Sequence, residues 1–242
     1  PSKPINADTD ETEVALLFEQ RNLISAPIID ENNQLVGRIT IDDVVDVIRD
    51  QAEHSVMSMV GLDEDEDVFA PIFQSSKRRS VWLGVNLITA FIAVYFIGLF
   101  EATLQQKIAL AILMPVVASM GGIAGTQTLI IVTRGIATGR VTSANIKTLI
   151  NKEVAVSGLN GIIWSVVIGL ITYYWFSDLL LSLVIALAII TNLLVAAFSG
   201  AFLPLALTKL KIDPALAGGV ILTTITDVIG FVAFLGLAAL FI

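Results

Sequence analysis

A single aspartate in the middle of an apolar segment is the residue best placed to do chemistry. Asp227 is the only charged side chain in residues 214–242, a stretch long enough to cross a bilayer. A carboxylate at that depth costs at least about 2.5 kcal/mol on insertion scales. Gly219, Thr223 and Asp227 are four residues apart, so a helix places them on one face. We expect an ion site in a membrane pathway, and a structural acid that hydrogen-bonds between helices is the alternative.

The composition divides the chain into an acidic segment and a membrane segment. Hydrophobic residues make up 55% of the chain, and the mean hydropathy is +0.84. Residues 1–80 hold 17 of the 22 acids but only 7 of the 14 bases. The absence of cysteine excludes disulfides and thiolate metal sites, and the single histidine, His54, excludes two-histidine zinc motifs. The chain opens at Pro1 without methionine or a signal-peptide pattern, so we expect that a preceding segment has been removed or left out.

The hydropathy of the second segment predicts five membrane spans. Basic residues cluster before the first span, between the second and third, and between the fourth and fifth. The positive-inside rule therefore predicts a multi-pass protein of the cell (inner) membrane, with a cytoplasmic N-terminus and an external C-terminus. The spans are 81–100, 108–132, 154–176, 179–207 and 214–242, and the basic residues are Lys77, Arg78, Arg79, Arg134, Arg140, Lys147, Lys152, Lys209 and Lys211.

The second span combines a proline with small and polar residues. Gly121 and Gly125 form a small-xxx-small pair, which allows two helix backbones to approach closely. Packing alone does not explain the nearby polar atoms, since exposed backbone at membrane depth is tolerated only inside protein or beside water. We therefore expect the second and fifth spans to line a pore and the other three to act as scaffold, in which Asn160 and Asn192 need partners. The predicted pore and packing residues of the second span are Pro115, Gly121, Gly122, Gly125 and Thr126.

The acidic segment has the pattern of a small α/β domain. Helix Glu13–Gln20, strand Ala26–Asp30, a turn, strand Leu35–Ile39 and a helix capped by Thr40 follow one another. The segment SAPIIDENNQLVGRITIDDVVDVI resembles a cystathionine-β-synthase (CBS) domain, which usually occurs in tandem pairs. The resemblance implies that Thr40 and Asp43 bind the phosphate and ribose of ATP or another adenine nucleotide. The alternative is that Thr40 is only a helix cap and Asp43 only a first-turn acid.

Two segments, Leu113–Gln127 and Asp213–Gly230, resemble the MgtE-type magnesium channels. The whole chain resembles the C-terminal two-thirds or so of that family. This implies an α-helical membrane protein of five transmembrane helices (81–242), preceded by a small α/β CBS-type domain (1–50) and a connecting amphipathic helix (51–80). The resemblance also implies a homodimer with one pore between the subunits, in which Asp227 holds hydrated Mg²⁺ and Thr223 and Gly219 line the pore. Two positions depart from the family pattern, where Ile123 replaces an asparagine and Val220 a proline.

The resemblance further implies that cytoplasmic Mg²⁺ regulates the pore by bridging acids between subunits. Asp43, Asp46 and Asp50 share one helix face. The alternative is that this face is only a solvated acidic surface. The acidic run 63–67 follows this helix. Gln51 and His54 stand where the family has acids, so we expect weaker regulation. The implied regulatory ligands are Asp10, Asp43, Asp46, Asp50 and Asp213.

The predicted function is thus a Mg²⁺-selective channel in lipid, with no nucleic-acid partner. Mg²⁺ prefers oxygen ligands and keeps several waters, which suits a carboxylate with hydroxyls and carbonyls. A secondary transporter of divalent cations such as Mg²⁺ or Co²⁺, coupled to H⁺ or Na⁺, is the alternative. An intramembrane aspartyl protease needs two carboxylates in neighbouring spans. The sequence places only one well inside a span, so we expect no enzyme.

Overall fold

The computed structural model describes residues 4–59, 61–62, 69–142 and 144–242. The chain divides into two compact units, Pro1–Ala70 and Pro71–Ile242. The acidic run 63–67 lies outside the described residues. The predicted connecting segment 51–80 is divided, in its described residues, between the last helix of the first unit and the first helix of the second.

The first unit is a three-stranded sheet with two helices. Strand β2 (Ser25–Ile29) pairs in parallel with β1 (Ile5–Asn6) and antiparallel with β3 (Leu35–Thr40). The helices are α1 (Glu11–Arg21) and α2 (Ile41–Ser58). The predicted order of helix, strand, turn, strand and helix is confirmed, but α2 continues beyond Asp50. The sequence did not predict β1, because a two-residue strand has no periodicity to detect.

Local hydrogen bonds explain why the first unit turns where it does. The Asp30 Oδ1 atom accepts from the backbone N–H groups of Asn32 and Gln34, at 2.9 and 2.8 Å, and so closes the hairpin. The core of the unit is centred on Phe18, which is 1% exposed and packs with Val14, Ala26 and Val44. The Gln51 side-chain amide donates to the Thr12 hydroxyl and joins α2 to α1. Gln51 therefore has a structural contact within the first unit.

In the described residues of the second unit, five helices are long and apolar enough to cross a membrane. They confirm the five predicted spans. Helix α3 begins before the first predicted span. Lys77, Arg78 and Arg79 in its early turns lower the hydropathy, so hydropathy alone does not predict that part of the helix. A short helix, α4, joins the first two spans and was not predicted. The bounds are α3 (Ile72–Gly98), α4 (Glu101–Gln106), α5 (Ile108–Ala137), α6 (Ile146–Phe176), α7 (Leu179–Lys209) and α8 (Pro214–Phe241).

Helix α7 is the centre of the membrane unit. It packs against α5, α6 and α8, whereas α3 packs mainly on α8 and buries only Ala93. Side chains of α5, α7 and α8 form the apolar core, with Val117, Ile185 and Phe234 fully buried. The more uniformly apolar α7 thus acts as the scaffold on which α5 and α8 are placed.

An ion pair at one end of the unit joins two connections. Lys107, just before α5, pairs with Asp178, just before α7. Asp178 also caps α7, since its Oδ1 atom accepts from the Leu181 N–H at 3.0 Å. The Leu181 N–H and then the Lys107 ammonium lower the pKa of Asp178. The pair places the two connections at the same end, as alternating spans require.

Candidate ion site on α5 and α8

Helix α8 has one face packed in the unit and one face left open. Leu222, Thr226 and Phe234 on the packed face are fully buried. On the open face Thr223 is exposed, and Gly219 and Asp227 are partly exposed. The three residues predicted from their spacing to share a face therefore do so, and the described part of the chain does not cover that face.

The chemistry of this open face is dominated by oxygen. The Thr223 hydroxyl donates its proton to the Gly219 carbonyl at 2.9 Å, so its oxygen lone pairs remain available. In the part of the chain that the structure describes, the Asp227 carboxylate takes part in no hydrogen bond or ion pair. Among the described residues of one chain, Asp227 therefore forms no hydrogen bond that links two helices. A half-buried carboxylate without a proton donor is a good ligand for a cation or for its water shell.

Helix α5 also has an open face and a packed face. Pro115, Ser119 and Thr126 are exposed and Gly122 is partly exposed. Their spacing of four, three and four residues places them on one side of the helix. A Cβ atom at Gly122 would meet nothing within 4 Å. The residues predicted for the second span thus separate into an open group and a packed pair, Gly121 and Gly125.

The packed glycines allow α5 to approach α7 and α8. A Cβ atom at Gly121 would overlap the side-chain amide of Asn192, and one at Gly230 would lie 2.6 Å from the Asn192 Nδ2 atom. A Cβ atom at Gly125 would lie 3.1 Å from the side chain of Leu222. Glycine is required at Gly121 and Gly230 because the amide between them leaves no room for a side chain. The close contacts at Gly121 and Gly125 are consistent with the small-residue packing, whose role in a pore stays a prediction.

Asn192 joins α7 to α5 through a polar contact. It is fully buried, and its Nδ2 atom donates to the Val117 carbonyl of α5 at 2.9 Å. Asn160, by contrast, is exposed and donates to the Val156 carbonyl of its own helix at 3.1 Å. Each asparagine thus has one partner, and only the Asn192 contact crosses between helices. The Asn192 Oδ1 atom is buried and has no hydrogen-bond partner among the described residues.

Several predicted regulatory acids serve as helix caps in the single chain. Asp10 accepts from the Thr12 N–H, and Asp213 from the Ala215 N–H, both at 2.9 Å. Each therefore stabilises the start of a helix. Capping through one carboxylate oxygen does not by itself exclude a regulatory role, which stays a prediction.

The other regulatory acids lie on α2, where Asp43, Asp46 and Asp50 are all exposed. Asp50 lies 3.9 Å from the Arg49 guanidinium. Among the described residues, no three His, Cys, Asp or Glu side chains come close enough together to hold a metal ion. A bridging ion would therefore need ligands from more than one cluster of side chains. The regulatory assignment stays a prediction.

The two residues predicted to bind a nucleotide contact each other. The Asp43 Oδ2 atom accepts from both the backbone N–H and the hydroxyl of Thr40, each at 2.9 Å. This is the capping arrangement that the sequence offered as the alternative. A nearby cavity of about 250 Å³ is lined by Asn6, Thr9 and Glu11 among other residues, but not by Thr40 or Asp43. Nucleotide binding stays a prediction.

The sequence did not single out Glu153, a second carboxylate within the membrane unit. Glu153 lies two turns inside α6 and is only 4% exposed. It lines a cavity of about 400 Å³ with Gln127, Ser157 and Asn160, and its Oε1 atom is 3.3 Å from the Lys152 ammonium. The predicted span began at 154, so Glu153 was taken for a connecting residue. The available signal was that it is the only acid in residues 146–176.

Comparison with known proteins identifies the family of the chain. The family model of MgtE, described as a divalent cation transporter, matches residues 114–237, which is more than half of the chain and includes both open faces. The chain belongs to the MgtE family. The CBS domain model matches residues 1–50. MgtE proteins are transporters rather than enzymes, and the family match with the five helices identifies the chain as a multi-pass membrane protein.

Three curated proteins named magnesium transporter MgtE are similar over nearly the whole chain. The protein from Bacillus subtilis is 34% identical over 100% of this chain and 54% of its own length. The proteins from Enterococcus faecalis and Thermus thermophilus are 28% and 30% identical over 98% of this chain, which corresponds to 52% and 53% of their lengths. The chain therefore spans about half the length of these relatives, less than the two-thirds expected.

Proposed function

We propose that this chain forms the ion-conducting part of a Mg²⁺-selective channel. The observation that carries the proposal is the Asp227 carboxylate, which lies unpaired on the open face of α8 beside an exposed hydroxyl. Burying a carboxylate in a membrane helix is costly, and nothing in the described part of the chain offsets the cost for Asp227. A cation that approaches this face would offset it. The names of the similar MgtE proteins support Mg²⁺ as the substrate.

The proposed channel is a homodimer in which the open faces of α5 and α8 line a central pore. These faces carry Pro115, Gly122 and Thr126 on α5 and Thr223 and Asp227 on α8. Exposed backbone and hydroxyls at membrane depth are expected beside water, not beside lipid. Two Asp227 carboxylates facing each other repel, so a divalent ion stabilises the pair more than a monovalent ion does. Mg²⁺ gives up its waters reluctantly and would pass largely hydrated.

The basic residues at alternate connections support a cytoplasmic N-terminus and an external C-terminus. The acidic first unit is then exposed to cytoplasmic Mg²⁺. We propose that this Mg²⁺ closes the pore by bridging acids between subunits, because an ion shifts a conformational equilibrium only through its differential affinity for the two states. The proposed ligands are Asp10, Asp43, Asp46, Asp50 and Asp213.

Mg²⁺ flux into liposomes tests the pore. Asp227→Asn preserves the side-chain volume and removes the charge, so selective Mg²⁺ flux should fall about tenfold or more, the effect of losing roughly 1.4 kcal/mol of ion binding. Asp227→Glu should retain part of the flux. Glu101→Gln is the matched control, because it neutralises an exposed acid outside the predicted pore and should leave the flux unchanged.

The same assay separates a channel from a carrier. Normal Mg²⁺ flux through a folded Asp227→Asn protein would show that the ion site lies elsewhere. Mg²⁺ entry that requires an imposed H⁺ or Na⁺ gradient, without single-channel currents, would instead indicate a secondary transporter of Mg²⁺ or Co²⁺.

Regulation is tested by neutralising Asp43, Asp46 and Asp50 together to asparagine. If these acids bridge subunits through Mg²⁺, the triple variant should lose inhibition by Mg²⁺ on the side of the first unit. Open probability as a function of that Mg²⁺ concentration is the measurement. Because Asp43 also caps α2, Asp46→Asn with Asp50→Asn is the control that leaves the cap intact. An inhibition curve unchanged in both variants would mean that the acids form only a solvated face.

A further inference from the structure

A second cavity in the membrane unit lies where α5 ends and α6 begins. Its volume is about 580 Å³, and its lining includes Arg134, Arg140 and Lys152. The apolar side chains of Ile131 and Leu149 complete the wall. None of these residues belongs to the proposed pore. The cavity thus combines three cationic groups with a hydrocarbon surface at the end of two membrane spans.

The connection between α5 and α6 holds this cavity in a defined shape. The Asn145 side chain accepts from the Thr142 N–H at 2.9 Å and donates to the Arg140 carbonyl at 2.8 Å. The Val141 N–H donates to the Gly135 carbonyl at 2.9 Å, which folds the connection back on α5. A Cβ atom at Gly135 would lie 2.5 Å from the Val141 side chain, so the close approach needs glycine. These contacts fix the position of the backbone at Arg140.

The cavity has a surplus of positive charge. Within the described residues, neither Arg134 nor Arg140 forms an ion pair. Lys152 is 3.3 Å from Glu153, whose carboxylate lines the adjoining cavity. The guanidinium groups of Arg134 and Arg140 therefore both lack a counter-charge from the described part of the chain.

We propose that this cavity binds an anionic phospholipid, with the headgroup phosphate between the two arginines and the first part of an acyl chain against Ile131 and Leu149. Guanidinium groups bind phosphate oxygens in a bidentate geometry. Basic pockets between membrane helices at the cytoplasmic surface bind anionic headgroups. A free phosphate would use the arginines but would leave the apolar wall unoccupied, so the lipid is the better match. The site concerns lipid binding and does not depend on the proposed ion pathway.

Native mass spectrometry of the purified full chain, titrated with phosphatidylglycerol, tests the proposal. We expect one tightly retained lipid per chain. Arg134→Gln with Arg140→Gln should lower its affinity roughly 30-fold, from about a 5-fold contribution per basic residue near an anionic surface. Lys209→Gln with Lys211→Gln is the matched control, because it removes the same charge at another basic connection and should leave retention unchanged.

The other arms identify the occupant. Phosphatidylcholine should not be retained, and inorganic phosphate at millimolar concentration should not displace phosphatidylglycerol. Displacement by phosphate alone would show a free-anion site and overturn the lipid assignment. Unchanged retention in both double variants would show that the two arginines do not hold the lipid, and equal loss in both would show that only general surface charge attracts it. If the arginine pair fails to fold, the single Arg140→Gln variant makes the same comparison, with a smaller expected loss of about 5-fold.

Discussion

In α5 and in α8, the packed face and the open face of the helix have different surroundings. This difference within each helix is larger than the difference between the two helices. The packed faces bring Gly121, Gly125 and Gly230 against side chains of neighbouring helices. The open faces carry Gly122, Thr126, Thr223 and Asp227, which no part of the described structure covers. Small and polar residues therefore serve two purposes in the same helices: close packing on one side and an oxygen-rich surface on the other.

This difference separates residues that the sequence groups together. Gly121 and Gly122 are adjacent, yet a side chain at the first would overlap Asn192, whereas one at the second would meet open space. Substitutions on the packed face should change the free energy of unfolding. Substitutions on the open face should change ion flux and leave unfolding nearly unaltered. Matched pairs of variants can test this distinction.

The largest effect is expected for Gly121→Leu. The new side chain would displace Asn192 from the contact between α5, α7 and α8, and overpacking typically costs about 1–3 kcal/mol, occasionally more. We expect a loss of at least about 3 kcal/mol, because the overlap begins at the Cβ atom. Unfolding in mixed detergent micelles measures it.

Gly122→Leu is the control for that experiment. It should unfold no more easily than the parent, since leucine favours a helix over glycine by up to about 1 kcal/mol. Its Mg²⁺ flux should nevertheless fall, because the side chain would project from the open face. Equal destabilisation in both variants would contradict the division into two faces.

A smaller effect is expected for Asn192→Ala. The variant loses the hydrogen bond to the Val117 carbonyl and some buried volume, and polar contacts between membrane helices contribute about 0.6–2 kcal/mol. We expect a loss of about 1–2 kcal/mol in the same unfolding assay. Asn160→Ala removes an exposed amide that bonds only within α6, so it should cost less than about 0.5 kcal/mol. Equal costs would mean that the contact of Asn192 does not hold the helices together.

Much of the architecture could be predicted from the sequence because it depends on periodicity and hydropathy. Five apolar segments, alternating basic connections and the four-residue spacing of Gly219, Thr223 and Asp227 are local patterns. The helix bounds were less accurate where polar residues continue an apolar helix. Ile72–Ser80 of α3 and Glu153 of α6 were assigned to connections for that reason.

The sequence by itself determined that this chain crosses a membrane with one carboxylate deep in its last span. Asp227 and the apolar residues around it are neighbours in the sequence, so both features can be read without the fold. Only the tertiary structure decided which glycines pack and which face is open, because that depends on how α5 and α8 rotate against α7. The tertiary structure was also needed to identify the partner of Asn192 and the basic cavity beside α6. The Asn192 contact joins residues 75 positions apart, and the cavity depends on how the connection after α5 folds back. Local periodicity determines neither.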